Sequence, residues 1–126
     1  MSNEEFELLA RQALDLIPQE FTAKLENVAV IIEDYPTPAQ VHKLKLKPWT
    51  RLLGLYEGVS LRGRTSSFAS PLPDKITIFK NSILSISKNQ DEICENIRSV
   101  ILHEIAHHFG FSEKQVRDAE MRRIKN

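Results

Sequence analysis

The stretch from residue 91 to 109 constrains this chain more than any other. Ile93, Ile97, Val100, Ile101, Leu102, Ile105, Ala106 and Phe109 fall at helical spacing. Projected at ~100° per residue, they cover most of the circumference. A helix that is apolar nearly all round belongs inside a fold, so the other elements must pack around it. Gly110 follows as a residue able to end it with a positive φ. One narrow polar sector interrupts the apolar surface, carrying Asn96, Ser99, His103 and His107. Buried imidazoles need partners or a metal, because an unsatisfied buried polar group is costly.

That sector contains H-E-x-x-H. With His103 at zero, His107 projects to ~40° and Glu104 to ~100°. Two histidines one turn apart can reach the same ion, and the glutamate between them can hold a water on it. Zinc suits the pair, since it takes imidazole nitrogen and tolerates an open coordination position. It acidifies its water, and a neighbouring carboxylate can accept the proton. The alternative is a pair of ordinary histidines hydrogen-bonded within the core. Gly110 permits a turn after which Glu113 can swing back as a third ligand; Asp118 and Glu120 are rivals. Equally, Glu113 can simply complement the dipole at the start of a last helix. His108 projects to ~140°, at the rim of the site.

Around this helix the pattern predicts smaller elements. Ser2 and Glu5 form a capping box for a first helix whose apolar face is Phe6, Leu9, Ala13, Leu16 and Ile17. Pro18 ends it and can start a short second helix carrying Phe21 and Leu25. Residues 28–32 read as a buried strand. A weak helical patch lies around 40–46 in a segment containing Pro36, Pro38 and Pro48. A second strand runs through Leu55 and Tyr56 to Leu61, and a third covers 75–79, with a long loop over 62–74 between them. Residues 81–90 fit no single pattern. Ser112 and Gln115 cap a last helix that runs to about residue 125.

Lys and Arg number 17, as do Asp and Glu, so the formal net charge is zero. Such a balance argues against a chain devoted to coating nucleic acid or an anionic membrane. At 126 residues, 41% of them apolar, the sequence reads as one domain over 1–126. No apolar run reaches the ~18 residues of a membrane span. The N-terminus lacks a basic, then apolar, signal pattern. With Cys94 as the single cysteine, no internal disulfide forms, and the expected compartment is the cytoplasm. Cys94 reads as a small core residue, Met121 as packing and His42 as solvated. Trp49, Tyr35 and Tyr56 divide between packing and lining a cleft. Arg62 and Arg64 read as loop residues with an option on anion binding.

The segment HEIAHHFGFSE resembles the motif of small bacterial zincin-like metallopeptidases, a minimal zincin fold. LGLYEGVSL at 53–61 and LPDKITIFKNSI at 72–83 also look like that family's segments. The resemblance implies an α+β fold, with a small mixed sheet packed on the metal-binding helix and helices at both ends. It matches His103 and His107 to zinc ligands and Glu104 to the general base. The larger metzincins have His or Asp where Glu113 stands, and a Met turn that this chain lacks. An edge strand, here assigned to 76–79, would line the cleft and pair with an extended peptide or protein substrate.

The reading is therefore a zinc-dependent peptidase with one Zn2+, taking peptide substrates and no nucleic acid or membrane. Two alternatives stand beside it. One is a zincin-shaped domain that binds metal or peptide without hydrolysis. The other is a helix-turn-helix over 91–125, whose Lys114, Arg117, Arg122, Arg123 and Lys125 would contact DNA phosphates.

Overall fold

The computed structural model describes residues 1–47, 50–58 and 73–122. Helix α1 (Asn3–Asp15) opens on the Ser2–Glu5 capping box and lays Phe6, Leu9, Ala10 and Ala13 on the core. Pro18 caps the one-turn α2 (Gln19–Thr22), which seats Phe21 and runs into a 3-10 turn, Ala23–Leu25. Strand β1 (Val28–Glu33) follows, then α3 (Pro38–Lys43), β2 (Gly54–Glu57) and β3 (Asp74–Phe79). The residues that fitted no pattern begin in α4 (Lys80–Ser85), which leaves β3 without a linker. The long α5 (Gln90–Phe109) and α6 (Glu113–Met121) finish the chain.

Among the described residues, three strands form one mixed sheet in the order β1-β3-β2. β1 runs parallel to β3, with Val30 opposite Ile76, while β2 runs antiparallel, with Leu55 opposite Thr77. The assignment of 76–79 to a sheet edge is therefore wrong. β3 is central, and its Ile76, Thr77, Ile78 and Phe79 are fully buried, as a strand covered on both flanks should be. Among the described residues, β2 stands at one edge of the sheet. β1 stands at the other and is half-buried along its length rather than buried.

The core gathers around α5, whose Ile97, Ile101, Leu102 and Ile105 are fully buried against α1 and the sheet. Each such side chain contributes about 1.5–3 kcal/mol relative to exposure. The all-round burial expected of α5 fails at its last turn, where His107, His108, Phe109 and Gly110 are exposed. Met121 also breaks expectation: it is 87% exposed and lies outside the core. Cys94 and His42 behave as the sequence implies, one packed against the core and the other exposed. Among the described residues, no helix is long and apolar enough to cross a membrane.

Candidate metal centre

The helix α5 starts at Asn89, whose side chain accepts from Glu92 N, and ends at Gly110, with φ of 79°. Between these caps the backbone is regular, so His103 and His107 stand one turn apart on one face. Their rings are 6.4 Å apart, centroid to centroid, and meet edge-on. His103 is half-buried, while His107 opens to solvent.

The tautomer of His103 follows from its partner. Nδ1 lies 2.7 Å from the carbonyl oxygen of Ser99, one turn back. A carbonyl only accepts, so Nδ1 carries the hydrogen and Nε2 keeps its lone pair outward. This is the usual way a protein orients a metal-binding imidazole.

Glu104 is held from the sheet. Phe79 N–H donates to Leu53 O, so Leu53, Leu55 and Glu57 bond towards β3, and the backbone groups of Gly54 and Tyr56 face the outer edge. The Tyr56 N–H there donates to the Glu104 carboxylate at 3.0 Å. Burial pushes the Glu104 carboxyl above the ordinary carboxylate range, opposed by the Tyr56 N–H and by the three nearby histidines. A carboxyl poised upward in this way is a better proton acceptor at neutral pH than an exposed one.

Tyr56 is the residue whose place here was only half legible. Its ring stacks on His108 at 3.8 Å and meets Phe109 edge-on at 6.0 Å. Its hydroxyl donates to Asp74 Oδ2 at 2.6 Å; burial, together with that bond, raises the phenol well above its ordinary pKa. His108 thus sits at the rim, clamped to β2. Strand periodicity could have placed Tyr56 beside the helix; its backbone bond to Glu104 leaves no trace in sequence. Tyr35 is 68% exposed, and Trp49, Arg62 and Arg64 lie outside the described residues.

The structure brings His103, His107 and Glu104 together and does not bring Glu113 to them. Glu113 opens α6, its side chain 96% exposed and 3.9 Å from Arg117. Asp118 lines a separate cavity with Phe21 and Arg122, and Glu120 offers its backbone carbonyl to Arg98. Among the described residues, no group of three or more His, Cys, Asp or Glu is placed to hold an ion. The donor chemistry still fits zinc: one imidazole with an oriented free nitrogen, a second one turn away, and an anchored carboxylate between them.

A mixed sheet, a largely buried helix bearing paired histidines, and a strand gripping the intervening glutamate define a small α+β protein. Residues 25–123 match the zincin-like metallopeptidase family, and the chain belongs to it. Its fold is similar to that of a conserved hypothetical protein from Thermo thermophilus, with a TM-score of 0.58 and 22% identity over 86% of this chain and 94% of that one. A search among curated proteins found no match.

Proposed function

We propose that the protein is a zinc-dependent peptidase in which His103 and His107 hold one ion and Glu104 is the general base. The observation that carries this reading is the Tyr56–Glu104 bond, which fixes a half-buried carboxylate beside two histidines. Zinc bound there would polarise a carbonyl oxygen and acidify water. Glu104 takes the proton of the attacking water and returns it to the departing amine. His103 keeps its orientation through Ser99 O. The outer edge of β2 gives an extended peptide the Gly54 N–H and the carbonyls of Gly54 and Tyr56 to pair with, while the Tyr56 N–H stays on Glu104. Glu113 is the proposed third ligand, reached by its carboxylate turning away from Arg117.

Metal analysis with a peptide-library digest tests the assignment. Wild type binds one equivalent of zinc and cleaves; His103→Ala and His107→Ala lose both. Glu104→Gln keeps the zinc and loses cleavage by at least ~100-fold, the scale of removing a general base. Cleavage by Glu104→Gln at the wild-type rate refutes the mechanism. Zinc bound by wild type and lost in both histidine variants, with no cleavage by any of them, favours the non-hydrolytic reading; zinc retained by the histidine variants refutes the ligand assignment. Unchanged zinc affinity in Glu113→Gln removes Glu113 from the ligand set.

A further inference from the structure

A groove of about 550 Å³ opens beside the histidine–glutamate pair, and His103 and Glu104 form part of its wall. The rest is lined mainly by Leu44, Leu46, Leu52, Leu53, Leu55 and Val100. Three elements and their flanks build it: the end of α3, the approach to and first half of β2, and the middle of α5. Its volume lies in the range of a ligand pocket, and apolar surface dominates its lining.

From this we infer that the groove is the specificity pocket of the peptidase and takes a bulky apolar side chain — Leu, Met or Phe — next to the cleaved bond. The inference rests on the hydrolytic reading of His103, Glu104 and His107, and adds to it a substrate class. Three observations commit the groove to that occupant. It shares His103 and Glu104 with the candidate centre, so whatever fills it touches the reacting groups. It also shares Gly54 with the outer edge of β2, where a paired peptide would lie. A peptide paired there turns alternate side chains to the same face, so a residue beside the reacting carbonyl faces the groove. Finally, among the described residues Arg51 is the one lysine or arginine in the lining, and it is exposed. Its charge repels a basic side chain; an acidic one gains only a weak, solvent-screened pair with it and is desolvated against the leucines.

Gly54 keeps this surface open. A Cβ at Gly54 would stand 2.3 Å from Val100 Cγ1 and 3.1 Å from Thr77 O, so strand and helix meet here as closely as backbone allows. Leu44 lies at the solvent side of the groove and is 38% exposed, so a charge can be placed there without entering the core.

The test has two arms, both on the full chain. In the first, zinc-loaded protein digests a position-scanned fluorogenic peptide library. In the second, isotope-labelled Glu104→Gln is titrated with peptides that differ at one position, carrying Leu, Asp or Lys. The expected result is a preference of at least ~10-fold in kcat/KM for Leu, Met or Phe at one position flanking the cut. Leu44→Glu lowers kcat/KM for the Leu peptide about 10-fold and raises it for the Lys peptide, with the melting temperature unchanged. Equal cleavage of all peptides overturns the pocket while leaving hydrolysis intact. If no peptide is cut, the hydrolytic reading fails and the second arm decides alone. Amide shifts at Leu52, Leu53, Leu55 and Val100 caused by the Leu peptide, and not by the Asp or Lys peptide, uphold the apolar pocket. Shifts that do not distinguish the three peptides, or that lie elsewhere, overturn it.

Discussion

At the scale of single residues, the candidate centre depends on which atom of each side chain is already committed. His103 gives Nδ1–H to Ser99 O and keeps Nε2, while Glu104 accepts a backbone N–H rather than a side chain. Tyr56 separates two roles that its position would otherwise confuse. Its hydroxyl is bonded to Asp74, whereas its backbone N–H holds Glu104. Tyr56→Phe deletes the first and keeps the second. The variant should lose about 1–2 kcal/mol of stability, as for a hydrogen bond to a charged group. Its kcat/KM should stay within ~3-fold of wild type, against the ~100-fold loss expected if the phenol stabilised an oxyanion. Denaturant melts and peptide kinetics on the same preparation decide between these. That His103 and His107 stand on one face of α5 was legible because a 3.6-residue period determines which side chains share a face. Glu113 was named from spacing alone. Spacing after a glycine turn says how far the chain can travel, not where a carboxylate will point, and here it points to solvent beside Arg117.

At the scale of elements, the contact that positions the site is the close approach of β2 to α5. Gly54→Ala should push the strand from the helix, because Val100 is β-branched and cannot rotate out of the way. A cost of about 1–3 kcal/mol is expected, with loss of the Tyr56–Glu104 bond and of activity. The pair Gly54→Ala with Val100→Ala should recover most of both; a double variant as damaged as the single would show that Gly54 serves some other purpose. The helix caps offer a second test. The Ser2 N–H and hydroxyl hold Glu5 below the ordinary carboxylate range. Because the folded pKa is lowered, that stabilisation is complete above the unfolded value and disappears as pH falls through the folded one. Glu5→Gln should therefore flatten the acid limb of the stability profile, measured by thermal melts from neutral pH down through the carboxylate range. Most elements were readable because caps and periodicity are local: Ser2, Pro18, Gly110 and Ser112 all stand at boundaries. Strand order is not local. Ile76 to Phe79 read as a strand, but its central place depends on β1 and β2 both pairing with it, which no short run of residues encodes.

At the scale of the whole molecule, the core and the candidate centre use different residues of one helix. The fully buried positions of α5, Ile97, Ile101, Leu102 and Ile105, pack on α1 and the sheet. His107, His108 and Phe109 reach solvent in its last turn. The core therefore closes without an ion, unlike small domains that fold only around their metal. Zinc should act as a ligand of the folded state and stabilise it by mass action. At a free concentration ~100 times its dissociation constant, the gain is about 2.7 kcal/mol. For a chain of this size that corresponds to a rise of roughly 10 °C in melting temperature. A chelator should remove the rise and leave a cooperative transition at the lower temperature, and His103→Ala should melt there with or without zinc. If the chelator instead abolishes the transition, the ion is part of the core, and the division of α5 between packing and metal binding is wrong. Scanning calorimetry on wild type and His103→Ala, each with zinc and with chelator, distinguishes the two.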